Sequence, residues 1–250
     1  MKFVVTGFGP FPGTPSNPTQ RLVEAVARSR GGDGHRDETD AGKAGKGEPL
    51  GTGRVPAEDG QGVTVRFDDV LVSVLLETAA TAVDDSLATM WADVDAAVGE
   101  EEEDVCVLHF GVSGLAKLYH LEEFGYNWAE FRVPDTRGYH AKGEPIVDDG
   151  SGMDGPRGGK GEQTTLPLLA VTQIVNERVH GSAAISDDPG RYICNYTLFR
   201  SLRACQQHRG CGRRFALFVH VPSGELRSDG ENIGFARLLM DAITEAVGTM

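Results

Sequence analysis

Cys194 and His220 are the residues whose types and settings could carry out covalent chemistry on a carbonyl group. Cys194 follows an Asp-Pro-Gly turn in "DDPGRYICNYTLFR", residues 187–200, where a helix is expected to begin. His220 closes the apolar run "FALFVHVP" just before Pro222. A thiolate attacks carbonyls and a thiol hardly does, so a cysteine nucleophile needs its pKa drawn down from about 8.5. A helix N-terminus and an adjacent imidazolium both act in that direction. The histidine then delivers a proton to the leaving amine, and a carboxylate or amide fixes its tautomer. The local pattern also supports a plainer reading. Cys194, Leu198, Leu202 and Cys205 fall at i, i+4, i+8 and i+11, one face of a helix, where a cysteine packs as a small apolar residue. A histidine in an apolar strand is equally compatible with a core imidazole bonded to backbone. Of the others, His35 lies in a Gly-rich stretch and His180 and His208 near helix ends. His109 also ends an apolar run, while His120 and His140 fall in an irregular middle section with no partner in the sequence that favours them.

The elements that must position these groups alternate along the chain. "KFVVTGF" reads as a strand, followed by a helix in "SNPTQRLVEAVARS" with Asn17 as N-cap and Pro18 first in the helix. Residues 30–62 are Gly-rich and charged, with almost no large apolar side chains, and read as a flexible surface insertion. "VTVRFDDVLVSV" gives one or two strands, and the next segment a helix with Leu76, Ala80, Val83 and Leu87 on one side. "DVCVLHF" is a short buried strand ending at "GVSG". The stretch "LYHLEEFGYNWAEFRVPDTRGY" has no clean period and reads as strand-like excursions and loops. A second Gly-rich loop covers about 150–163. A helix in "TLPLLAVTQIVNERVH", a strand in "SAAIS", the Cys194 helix, the strand "RFALFVHVP" and a helix in "ENIGFARLLMDAITEAV" complete the order. This alternation predicts an α/β fold: a three-layer α/β/α domain, spanning 1–250, with a mostly parallel, mixed and twisted sheet. In such sheets reactive groups gather beyond the carboxyl ends of the strands.

Composition narrows the partners. A chain of 250 residues with 40% hydrophobic content can bury a full α/β core. A formal net charge of −13 argues against nucleic acid or an anionic membrane surface as the main partner. The acidic run Glu100 to Asp104 reads as a solvated helix end. No apolar stretch reaches 18 residues, and the N-terminus meets Gly and Pro before a signal-peptide core could form. The four cysteines, Cys106, Cys194, Cys205 and Cys211, form no CxxC pair, so structural zinc is not expected and a reducing, cytoplasmic setting is.

Four blocks in order carry a resemblance to a known family. "VVTGFGPFPGTPSNPT", "HFGVSGLAKLYHLEEFGYN", "DDPGRYICNYTLF" and "FVHVP" resemble the motifs of the type I pyroglutamyl peptidases. The resemblance implies a cytosolic cysteine peptidase that removes an N-terminal 5-oxoproline from small peptides through a thioester, without cofactor or metal. It assigns Cys194 as nucleophile, His220 as base and Glu122 as the orienting acid, Glu122 being favoured over Glu123 by its spacing to Asn127. It places Phe8 and Phe11 against the lactam ring and the Val112 backbone on the lactam. It keeps Asn17 in the first block, lines the site with Arg132 and Val133, and flanks the nucleophile with Tyr192 and Ile193. Such a pocket suits its ligand: pyroglutamate has no charged α-amine, so its site should be apolar with a few backbone partners. The Cys194 backbone N–H, with Arg132 nearby, is the expected oxyanion donor. Pro12 and Pro189 depart from the family pattern, which has Gly and Ala there. Pro189 is expected to be harmless as a residue of the helix start. Two alternatives stand beside this reading: an inactive relative that binds pyroglutamyl peptides, and a phosphate- or nucleotide-binding domain using "TGFGPFPG". The latter lacks any phosphate-loop pattern and its phenylalanines would crowd a phosphate. The insertion leaves a docking role open, and the sequence does not set the oligomeric state.

Overall fold

The computed structural model of the chain describes residues 1–30, 54–55, 63–99, 101–148 and 161–250. The insertion expected at 30–62 therefore lies outside the described residues, apart from Arg30 and residues 54–55. The Gly-rich loop expected at 150–163 lies outside them up to residue 160. In chain order the elements are β1 (Lys2–Phe8), α1 (Pro18–Arg30), β2 (Arg54–Val55), β3 (Val63–Thr64), β4 (Val70–Leu76), α2 (Ala80–Val98) and β5 (Val105–Ser113). There follow β6 (Tyr119–Glu122), β7 (Phe124–Tyr126), β8 (Ala129–Glu130), β9 (Lys142–Glu144), β10 (Gly161–Gln163), α3 (Leu168–Arg178), β11 (Ala183–Ser186), α4 (Ile193–Gln207), β12 (Arg214–Pro222) and α5 (Asp229–Gly248).

Six strands form the main sheet in the order β11-β6-β12-β5-β1-β4. Neighbours run parallel except where β6 meets β12. Strand alternation sorts the side chains into two layers. Phe3, Val5, Cys106, Leu108, Leu217 and Val219 pack on one face, against α1, α3 and α5. Val4, Val105, Val107, Ala216 and Phe218 pack on the other, against α2 and α4. The expected three-layer α/β/α architecture with a mostly parallel, mixed sheet is thus observed.

Several boundaries differ from expectation for local reasons. Leu76 ends β4 and α2 starts at Ala80, because Asp135 Oδ2 accepts a hydrogen bond from the Ala80 N–H (2.9 Å) at the helix entry. The irregular middle section contributes β6 to the sheet and β7 and β8 beside it. Its residues are buried on more than one side, which blurs any period. The acidic run is not simply a solvated helix end: α2 stops at Val98, and Asp104 binds the Arg213 backbone N–H (2.7 Å) and guanidinium (2.6 Å). That contact holds the Asp104 carboxyl below its ordinary range, against a smaller opposing effect of burial.

Candidate active site

The site forms where the sheet parts. β1 pairs with β5 only as far as Thr6 opposite His109, and then follows β4 up to Phe8 opposite Leu76. β5 runs on beside β12 to Ser113. Among the described residues, the backbone edge of β5 facing β1 therefore has no strand partner beyond His109, and Val112 lies on it. This divergence is a ready binding crevice at the carboxyl ends of parallel strands. A cavity of about 1520 Å3 opens there.

His220 sits near the end of β12 and faces the α4 side of the sheet, as Phe218 does. Its Nδ1–H donates to Glu122 Oε1 at 2.7 Å, and the imidazole also hydrogen-bonds the Cys194 thiol. Glu122, the last residue of β6, is 1% exposed and His220 8%. Burial alone pushes the imidazolium pKa down. The interactions with Cys194 and with the Glu122 carboxylate outweigh this and raise it to about 10. Glu123 turns elsewhere, its carboxylate accepting from Gln163 Nε2 at 2.8 Å.

Cys194 is the second residue of α4, and Tyr192, the N-cap, makes no side-chain cap bond. Among the described residues, the first N–H groups of this helix thus have neither an intrahelical nor a capping partner, and they lie at the end of the helix that lines the cavity. A Cβ on Gly111 would stand 3.4 Å from Cys194 Sγ and 2.5 Å from the Phe218 ring, so the sulfur rests over a strand position only glycine fills without displacement.

The helix is fixed to β7, the strand that follows Glu122 in the chain, by Asn195, which is fully buried. Its Oδ1 accepts from the Tyr126 N–H (2.7 Å), and its Nδ2 donates to the carbonyls of Tyr126 and Trp128 (2.9 Å each). A Cβ on Gly125 would meet the Phe199 backbone at 2.6 Å, so β7 can lie this close to α4 only with glycine there. Sequence reasoning did not single out Asn195; its position directly after the cysteine was the available signal. It also missed Phe131, a buried cavity residue with Tyr192 edge-on at 4.9 Å.

All the remaining residues expected from the sequence line this cavity. Phe8 is buried at the end of β1, with its ring 6.3 Å from Phe218. Phe11 exchanges backbone hydrogen bonds with Thr14 (3.2 and 2.8 Å), and between them stand Pro12 and Gly13, the glycine at φ 87°. Proline followed by a positive-φ glycine suits a type II turn, so Pro12 stiffens the aromatic loop without breaking it. Asn17 uses its amide internally: Nδ2 donates to the Gly9 carbonyl (3.1 Å), and Oδ1 accepts from the N–H (3.1 Å) and hydroxyl (2.9 Å) of Thr19. Val112 is half-buried, Arg132 and Val133 are exposed at the rim, and Ile193 is 1% exposed with its side chain in the core. The Arg132 guanidinium has no partner among the described residues. Pro189 does not belong to the helix start: it lies four residues before Ile193, in a turn with Gly190 at φ 79° and an Asp188 carboxylate accepting from the Gly190 N–H (3.1 Å).

His109 has a different fate. Its ring bonds Thr6 Oγ1 (2.7 Å) and Ser201 Oγ (2.8 Å), and complete burial lowers its pKa to about 3. It is a neutral core imidazole tying β1, β5 and α4 together.

Fold and site together define an α/β protein with a thiol, an imidazole and a carboxylate in hydrogen-bonded sequence beside an apolar crevice, the arrangement of a cysteine-type hydrolase. The sequence profile of the pyroglutamyl peptidase family matches residues 74–249, and the chain belongs to that family. It is 28% identical over 250 residues to the pyrrolidone-carboxylate peptidase of Clavibacter michiganensis, a match covering 98% of this chain and 90% of that protein. It is 30% identical over 155 residues to pyroglutamyl-peptidase 1 of Rattus norvegicus, covering 62% of this chain and 66% of that one. Among solved structures, a mutant pyrrolidone carboxyl peptidase from Pyrococcus furiosus superposes with a TM-score of 0.66 at 20% identity, over 99% of this chain and 100% of that chain. The enzyme from Thermococcus litoralis does so at 0.64, with 20% identity, over 99% and 95%. These likenesses establish the shared fold.

Proposed function

We propose that Cys194, His220 and Glu122 form the triad with which this chain hydrolyses the bond following an N-terminal 5-oxoproline in small peptides. The observation that carries the reading is the buried 2.7 Å Glu122–His220 bond continuing to a cysteine at an uncapped helix N-terminus. Cys194 Sγ attacks the carbonyl that joins pyroglutamate to the next residue. The oxyanion that forms is met by the free N–H groups at the start of α4, the Cys194 N–H first, with Arg132 at the rim. His220, its Nδ1–H held by Glu122, protonates the leaving amine as the C–N bond breaks, leaving a thioester on Cys194. The same imidazole then takes a proton from water, which attacks the thioester and releases 5-oxoproline and the thiol.

The lactam ring fits between Phe8, Phe11 and Phe131, and the unpartnered edge of β5 at Val112 supports its amide. Four unpaired cysteines agree with a reducing setting such as the cytoplasm. No described helix is long and apolar enough to cross a membrane. The test is release of a fluorescent amine from a pyroglutamyl conjugate, beside the prolyl conjugate, in thiol-containing buffer. Cleavage of the first alone, abolished by Cys194→Ala with an unchanged melting temperature, is expected. Folded wild-type protein that binds the conjugate and cleaves neither would establish an inactive binding relative instead.

A further inference from the structure

The catalytic face of the sheet carries a second histidine. His120 lies on β6 directly opposite His220 on β12 and two residues before Glu122, so all three side chains leave the same face. It is half-buried and lines the cavity. Among the described residues its imidazole has no hydrogen-bond partner, in contrast to His109, His140 and His220. Opposed Cβ atoms across an antiparallel pair stand about 4.5–5.5 Å apart, so the two imidazoles are neighbours at the mouth.

The sheet order says which part of a substrate His120 meets. From one edge the strands run β4, β1, β5, β12, β6 and β11. Phe8 ends β1 and Val112 lies on β5, so the ring crevice is on the β1 side of His220. The Cys194 sulfur lies over Gly111 of β5. A substrate whose ring occupies that crevice and whose scissile carbon meets the sulfur places its leaving nitrogen at His220. The rest of the peptide then continues over β6, where His120 stands. In any peptide the next polar atom is the first carbonyl oxygen of the leaving portion, three bonds and on the order of 3 Å from that nitrogen. This is shorter than the step of about 4.8 Å between neighbouring strands, so an imidazole reaching up from β6 spans the remainder with its hydrogen bond.

We infer that His120 is a specificity-determining residue that donates an N–H hydrogen bond to the first carbonyl of the leaving peptide, favouring true peptides over pyroglutamyl amides that lack that carbonyl. The inference rests on the pyroglutamyl peptidase reading. Its test is the ratio of kcat/KM for pyroglutamyl-alanine amide to that for pyroglutamyl-β-naphthylamide, whose leaving group has no such carbonyl. In His120→Ala the ratio falls about tenfold, as expected for one lost hydrogen bond, and His120→Gln, which keeps a side-chain N–H, largely restores it. His120→Leu keeps the bulk and shows the same fall if the alanine variant does not fold. An unchanged ratio, with both substrates falling together or neither falling, overturns the inference, because a structural role or an effect through His220 acts on both substrates alike. Wild-type protein that cleaves neither substrate refutes the parent reading and the inference with it, whereas wild-type cleavage with an unchanged variant ratio refutes the inference alone.

Discussion

Two histidines on adjacent strands, His109 in the middle of β5 and His220 near the end of β12, show how environment alone assigns roles. His109 is wholly enclosed by neutral partners, and its pKa falls to about 3. His220 is nearly as buried, yet Cys194 and Glu122 raise it to about 10. Desolvation is common to both; the neighbouring Cys194 and Glu122 reverse the outcome at His220. Because the folded-state value of His220 lies above its ordinary 6.5, the stabilisation from this ion pair is complete below about pH 6.5. It disappears as pH rises through about 10. Glu122→Gln should therefore move the alkaline limb of the kcat/KM profile to lower pH and reduce kcat on the order of a thousandfold, as the imidazole loses its fixed tautomer. Rates measured from pH 6 to 11 on the arylamide check both effects. An alkaline limb at the wild-type position would mean that Glu122 does not act through His220.

At the scale of elements, the site depends on short connections that hold longer ones in register. Asn195 ties α4 to Tyr126 of β7 and to the Trp128 carbonyl just beyond it, so the segment that follows Glu122 is held against the helix bearing Cys194. Asn17 does the same for the first loop, linking the Gly9 carbonyl to the entry of α1. The Phe11 to Thr14 turn depends on Gly13 at φ 87°, where an L side chain costs about 1–2 kcal/mol. Gly13→Ala should raise KM for the pyroglutamyl conjugate while leaving the melting temperature within several degrees. Calorimetry beside steady-state kinetics separates the two, and an unaltered KM would mean that the loop does not hold Phe11 for the ring.

Across the whole molecule the catalytic line sits where the two layers of core end. The large side chains on either face of β5 and β12 are fully enclosed; above them stand His220, third from the end of β12, Glu122 at the end of β6 and Cys194 at the start of α4. This gives a rigid floor on which loops can vary, a sound arrangement for precise placement of a nucleophile. Among the described residues no three His, Cys, Asp or Glu side chains gather as metal ligands would. Treatment with a chelator should leave kcat/KM unchanged, whereas reversible thiol oxidation should abolish activity until a reductant restores it. Inhibition by chelator that added metal relieves would require a different mechanism.

What the sequence determined by itself was set by short-range physics. Alternating apolar runs and caps such as Asn17–Pro18 are legible because they answer to neighbours a few residues away. Ordered motif blocks carried the family and pointed to the residues proposed to react. It could not choose locally between Cys194 as nucleophile and as core filler; in the structure Leu198 and Leu202 are in the core while Cys194, one turn earlier, emerges at the cavity. The tertiary structure alone decided that β6 runs against β12. That reversal brings Glu122 within 2.7 Å of His220 across a separation of 98 residues, sets His120 beside it, and leaves Glu123 to Gln163. Strand pairing depends on backbone groups that every residue carries and on burial from several sides, so its direction leaves little trace in the local pattern.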